Sequence, residues 1–208
     1  MPVYPSAHPL VRCKLTALRR VEAEPRLFRE LVRQLSWLLA CEALADASLV
    51  DLPIETPLAP MLGSDLADSI GLVPILRAGL SMAEGILDLL PLAQVWHLGM
   101  YRDHASLQPV AYYNRLPRPP TFDLALILDP MLATGGSAVA AVRLLRESGI
   151  RRIKYIGLVA APEGLARVAS EYPELPIHVA AVDDRLNEHG YIVPGLGDAG
   201  DRQFLTVP

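Results

Sequence analysis

Cysteine is scarce in this chain. Cys13 and Cys41 are its only two in 208 residues, far apart and without metal-ligand spacing. That excludes a disulfide framework and leaves two reduced thiols, as in a cytoplasmic protein. The N-terminus, Met1-Pro-Val-Tyr-Pro-Ser, has neither a basic n-region nor a long apolar run, so no signal peptide is expected. No apolar stretch reaches the roughly 18 residues that a membrane span requires. Lys and Arg do not cluster, the net charge is −4 and the pI is about 5.7, so neither nucleic acid nor an anionic membrane is an expected partner. Internal repeats and low-complexity tracts are also missing.

Apolar residues are plentiful at 51%, enough for a large core, and the length suits a single domain spanning residues 1–208. Nineteen prolines fall mostly between periodic segments. Residues 1–24 read as irregular, with a short mixed segment from Val11 to Arg20. Pro25 suits a first helical position. Leu27, Leu31, Leu35, Leu38 and Leu39 then recur at helical steps, which predicts an amphipathic helix to about Asp46. An N-terminal helical segment therefore occupies about residues 1–50. Residues 47–69, rich in proline, predict a loop with one short strand from Leu52 to Thr56.

From there, buried strands alternate with helices. Strands are predicted at Ile70–Leu76, Gln94–Tyr101, Leu124–Leu128, Ile153–Ala161 and Ile177–Val182. Helices are predicted at Leu80–Leu90, Ala138–Ser148, with Gly149 just past its end, and from Pro162 to about Tyr172. This alternation argues for an α/β fold with a central, mostly parallel sheet covered by helices. Between them, Arg102-Asp103-His104 and Pro109–Tyr113 suggest a flexible hairpin arm over about 101–117. His104 reads as a solvated loop residue.

Two strand tips carry charge. The first is Asp129, which opens the run Asp129-Pro130-Met131-Leu132-Ala133-Thr134-Gly135-Gly136-Ser137 before a helix. Successive N–H groups in such a loop converge on one point, and the helix dipole adds partial positive charge there. Thr134 and Ser137 can donate hydroxyl hydrogen bonds, and the glycines let backbone approach an anion. The loop alone also fits an ordinary strand-to-helix turn, but Asp129 beside it suits a phosphorylated sugar. A P-loop is excluded because Ser137, not Lys, follows the last glycine, and the adjacent glycines do not fit the dinucleotide fingerprint. The second charged tip, Arg77-Ala78-Gly79, suits another anion.

A third glycine-rich stretch, Gly195-Leu196-Gly197-Asp198-Ala199-Gly200, does match G-x-G-x-x-G. Only Asp201 to Pro208 follow, which leaves no room for the helix, strand and distal acid of a Rossmann unit. It reads instead as bare backbone against which a flat ligand can press.

The segment from Asp129 to Ser137 resembles the phosphoribosyl-diphosphate motif of the type I phosphoribosyltransferases. Pro130, standing where the wider superfamily has a second acid, is similar to the uracil phosphoribosyltransferase branch. The resemblance runs over nearly the whole chain. It implies a type I phosphoribosyltransferase-like fold with a flexible arm and a small base-binding hood over about 187–208. It implies conversion of uracil and phosphoribosyl diphosphate to UMP and diphosphate in pyrimidine salvage. Asp129 to Ser137 would hold the ribose and 5′-phosphate, Arg77 and Arg102 the diphosphate, and Ile192, Gly197, Asp198 and Ala199 the uracil. Asp198 is also expected to reach the donor and is a candidate general base; Arg77, Arg102, Asp129 and Asp198 form the expected catalytic set. The corresponding stretch of the family has Gly at Ser81. The resemblance further implies Mg²⁺, for which the sequence singles out no protein ligands, a homodimer or higher homo-oligomer, and, in some members, allosteric activation by GTP, for which the sequence marks no site.

Overall fold

A computed structural model of the chain describes residues 1–102 and 109–206, with only the backbone for Tyr101, Arg102 and Pro109. In chain order the elements are β1 (Val3–Pro5), α1 (Pro9–Arg19), α2 (Pro25–Ala43), β2 (Leu49–Glu55), β3 (Pro60–Leu66), β4 (Ile70–Leu76), α3 (Leu80–Leu89), β5 (Gln94–Val95) and β6 (Leu98–Arg102). They continue with β7 (Pro109–Asn114), β8 (Leu124–Leu128), β9 (Met131–Leu132), α4 (Gly136–Glu147), β10 (Arg152–Ala160), α5 (Pro162–Glu171), β11 (Ile177–Val182), β12 (Arg185–Leu186), β13 (Ile192–Val193) and α6 (Ala199–Phe204).

Among the described residues the main sheet runs β1-β11-β10-β8-β4-β6-β7, with β5 added to β4 and β9 to β10. Every pairing in it is parallel except β6 with β7. The central strand β8 is buried along its length, because both faces of a parallel sheet are covered by crossover helices. Its side chains alternate: Leu124, Leu126 and Leu128 join a core formed with α1, α2 and α3, whereas Ala125 and Ile127 join one formed with α4 and α5. Burying each of these leucine and isoleucine side chains contributes roughly 1.5–3 kcal/mol.

The main alternation follows the sequence pattern closely, and four local differences have clear causes. Residues 9–19, read as irregular, form α1: Pro9 starts it, His8 accepts a hydrogen bond from the Leu10 N–H, and Val11, Leu15 and Leu18 are buried. In α2 the buried stripe is Phe28, Leu31, Val32, Leu35 and Leu39, and Leu27 is 45% exposed, so the apolar face is rotated by one residue. The stretch read as a loop with one strand is an antiparallel hairpin of β2 and β3. Pro53 and Pro60 are tolerated there because both strands are edges, where an outward position needs no N–H. Finally, the strand read from Gln94 to Tyr101 is split into β5 and β6. The β6–β7 pairing forms the expected hairpin; its connection, 103–108 with His104, lies outside the described residues. Cys13 and Cys41 are both unpaired and exposed.

Candidate functional site

Parallel strands end together, so the loops after β4 and β8 converge at one edge of the sheet. That edge is where open α/β sheets bind ligands. The β4 loop carries Arg77 after a cis Leu76–Arg77 peptide, and the β8 loop begins with Asp129.

Asp129 Oδ1 accepts a 3.4 Å hydrogen bond from the Met131 N–H, and the Asp129 carbonyl accepts one of 3.0 Å from the Tyr155 hydroxyl. Burial is the larger influence on the carboxyl and pushes it up to about 7; the Met131 N–H opposes this. The residue is half-buried and lines the cleft described below. Near neutral pH Asp129 is therefore partly protonated, and hydrogen-bond donors placed beside it favour its ionised form.

The glycine loop behind it turns on Gly135, whose φ of 76° is left-handed. A Cβ there would also come within 2.7 Å of the Gly164 carbonyl oxygen. Helix α4 begins at the next residue, so its free N–H groups open into a small hollow of about 40 Å³ walled by Asp129, Met131, Leu132, Ala133, Thr134, Gly135, Gly136, Ser137 and Ala138. Pro130 is off this wall; its carbonyl accepts hydrogen bonds from the Leu158 and Val159 N–H groups and so fastens the loop to β10.

The hollow shares Asp129, Met131, Ala133 and Ser137 with a larger cleft of about 490 Å³. Its floor is Ile75, Leu76, Ala78 and Met100, and its far wall is His189, Gly190, Tyr191, Ile192 and Asp198. Asp198 also accepts a 2.9 Å hydrogen bond from the Asp201 N–H, capping α6. Gly197 and Ala199 do not line the cleft: Gly197 is exposed at φ 76°, and Ala199 is fully buried behind the wall.

The C-terminal wall is held by the N-terminal helices. Arg19 makes a bidentate pair with Asp183, at 2.7 and 2.6 Å, and donates to the Gly195 carbonyl at 2.6 Å. Asp183 in turn accepts from the Gly195 N–H at 2.9 Å. Arg202 reaches the Leu18 and Leu196 carbonyls and lies over the Phe28 ring, 4.4 Å from its centroid. Burial pushes its guanidinium below the usual range.

Arg77 is close to the cleft but not on its wall. Its guanidinium donates to Asp201 at 3.3 Å and to Thr206 at 3.2 Å. The Arg102 side chain lies outside the described residues. Sequence reasoning placed His189, Gly190 and Tyr191 in the 187–208 hood but gave none of them an individual role. Their signal was the Asn-x-x-Gly turn: the Asn187 side chain accepts from the His189 and Tyr191 N–H groups and presents this turn to the cleft. It also passed over the buried Gln203, which has no sequence signal.

No group of three or more His, Cys, Asp or Glu that could hold a metal is present among the described residues. Asp129 and Asp198 both line the cleft, and such carboxylates would suit a cation that keeps its waters and is carried by substrate oxygens, as Mg²⁺ commonly is.

Comparison with known proteins agrees with this geometry. A family model described as uracil phosphoribosyltransferase matches residues 5–206. A protein of Roseiflexus sp. (strain RS-1) named uracil phosphoribosyltransferase is 63% identical over 201 residues, covering 97% of each chain. A protein of the same name from Thermus thermophilus is 52% identical over 200 residues, covering 96% of each. Among solved structures, AQ2163 from Aquifex aeolicus superposes with a TM-score of 0.92 at 39% identity over 97% of both chains. A hypoxanthine phosphoribosyltransferase from Staphylococcus aureus gives a TM-score of 0.51 at 10% identity, covering 87% of this chain and 84% of its own, a likeness of fold alone.

Proposed function

We infer from its membership of the uracil phosphoribosyltransferase family, to which this chain belongs, that it transfers a 5-phosphoribosyl group from phosphoribosyl diphosphate to uracil, giving UMP and diphosphate in pyrimidine salvage. The observation that carries this reading is the union of a phosphate-sized hollow with a larger cleft through the shared Asp129.

In this reading the 5′-phosphate sits in the hollow on the N–H groups of 134–137, and remote binding energy is used for positioning. Asp129, ionised by the ribose hydroxyls it accepts from, fixes the sugar. The diphosphate lies toward Arg77 and Arg102, which neutralise charge as it departs. Mg²⁺, carried on donor oxygens, would add to that neutralisation near Asp129 and Asp198. Uracil presses against the backbone around Ile192 and Asp198, with Tyr191 alongside. Gly197 and Ala199 support that wall from outside and behind. Asp198 is the candidate to receive the proton of the uracil nitrogen.

Self-association as a homodimer or larger assembly is supported by the β2–β3 hairpin, which leaves Leu49, Val50, Leu52, Ile54, Met61 and Leu62 40–63% exposed. A two-stranded hairpin is marginal alone, and an apolar patch of this kind marks an interaction surface. A cytoplasmic location fits the two free thiols, and no helix among the described residues is long and apolar enough to cross a membrane.

The test is to supply donor and Mg²⁺ with uracil, cytosine, orotate or hypoxanthine and to identify the nucleotide formed. UMP alone is expected. Cytosine exchanges a donor for an acceptor at position 3 and an acceptor for a donor at position 4. Such mismatches in a desolvated site support discrimination of roughly 10⁴–10⁵. Comparable turnover of cytosine, or no UMP, overturns the reading. Added GTP in the same assay reads out activation.

A further inference from the structure

Gln203 is the fully buried polar side chain of α6, with no exposed surface. Its side-chain amide nitrogen makes two hydrogen bonds, 3.0 Å to the Ala78 carbonyl and 2.9 Å to the Ala199 carbonyl. Ala78 follows Arg77 in the loop after β4 and lines the floor of the cleft. Ala199 follows Asp198 at the far wall. One NH₂ group therefore spans the loop assigned to diphosphate and the backbone assigned to the base.

The orientation of this amide is fixed by its surroundings. Turning it over would set its oxygen against two carbonyl oxygens. As it stands, Oε1 is buried with no hydrogen-bond partner among the described residues. A side chain that only filled space would do better without that oxygen, since an unpaired buried polar atom is costly. What the amide provides in return is the link itself. The backbone is anchored on both sides of the link: the Gln203 carbonyl accepts from Arg29, and the Gly79 N–H donates to the Ile75 carbonyl at 2.9 Å. The link thus joins two stretches of backbone that are each hydrogen-bonded in place.

We propose that Gln203 is a positioning residue that couples the diphosphate subsite to the base subsite, so that occupation of one sets the backbone of the other. This rests on the functional reading above and deepens it. Coupling of this kind is reciprocal: whatever factor diphosphate imposes on uracil affinity, uracil imposes on diphosphate affinity.

The test is calorimetry on the full chain, measuring uracil affinity with and without saturating diphosphate and Mg²⁺. In the unaltered protein diphosphate should tighten uracil binding by about fivefold or more, the lower end of ordinary coupling. Gln203→Met keeps length and bulk but has no donor, and should reduce that factor to less than about twofold, while melting stays cooperative. Gln203→Leu is read the same way should the Met variant fail to fold. A purely structural role would alter Tm and both affinities but leave their ratio. A folded Met or Leu variant that keeps the full factor overturns the proposal, as does unaltered protein that binds both ligands independently. Failure of the functional reading is recognised separately: no UMP forms with donor and uracil, and the proposal falls with it.

Discussion

Arg77 Nη2 lies 3.3 Å from Asp201 Oδ1, and Thr206 Oγ1, itself a donor to Asp201 at 2.6 Å, lies 3.2 Å from Arg77 Nη1. The cation assigned to the departing diphosphate is thus held by the C-terminal segment. Exposed ion pairs are worth about 0–1 kcal/mol, so a diphosphate can displace this one. Asp201→Asn removes the competing charge and should tighten diphosphate binding about two- to fivefold, the range such a pair permits. Weaker binding in calorimetry would mean that Asp201 contributes to holding the anion.

Asp129 should trade stability for function. Its folded pKa, about 7, lies above the ordinary value of 3.8, so the folded protein binds the proton more tightly than the unfolded chain. Stability is therefore undiminished below about pH 4 and is lost as pH rises toward 7, by on the order of 1–4 kcal/mol once the open cleft side is allowed for. Asp129→Asn should melt higher than the unaltered protein at pH 8 and about equally at pH 4. Its kcat/KM for the donor should fall sharply, because a neutral amide accepts weaker hydrogen bonds from ribose hydroxyls. Normal donor kinetics in the folded variant would remove Asp129 from the site.

The two loop glycines should fail in different ways. Gly135→Ala puts a Cβ on a left-handed residue, 2.7 Å from the Gly164 carbonyl, and should cost about 1–3 kcal/mol in chemical denaturation. Gly136→Val puts a branched side chain at the first turn of α4 and should weaken donor binding while the protein still folds. Equal donor affinity in Gly136→Val would move the 5′-phosphate elsewhere.

His178 is a source of acid sensitivity outside the cleft. It is 8% exposed and stacked on Tyr4 at 4.7 Å. Burial, with Lys154 nearby, pushes it down to about 4, and Asp46 only partly opposes this. Its folded pKa is below the ordinary 6.5, so the unfolded chain takes the proton first. Stability is full above about pH 6.5 and declines toward pH 4, by on the order of 1–3 kcal/mol. His178→Phe should flatten the Tm profile over that window. An unchanged slope would assign the acid sensitivity to another group.

Much of the fold was legible because its signals are local. Leu124–Leu128 is a short, continuously apolar run bounded by turn residues, whose length favours a strand buried on both faces, and Gly135-Gly136 before an alanine-rich run marks a helix N-terminus. The α1 helix was not legible. Its apolar stripe is only Val11, Leu15 and Leu18, thin enough that packing on α2 decides whether it folds. The β2–β3 hairpin was half hidden by prolines, whose meaning depends on whether a strand is an edge.

The same division runs through the site. The sequence by itself determined the chemistry: an acid at a strand tip, a glycine loop that bares N–H groups, and an arginine at a second tip. These depend on neighbours a few residues apart, whose relative positions the backbone fixes. Tertiary structure alone decided which of these groups share a cavity. It put Ile192 and Asp198 on the wall with Asp129 and left Gly197 and Ala199 off it. It raised Asp129 to about 7, since burial belongs to the surroundings and not to the residue. And it let Arg19 hold Asp183, and Gln203 hold Ala78, contacts that close across 164 and 125 residues of chain and exist only once the sheet has been assembled.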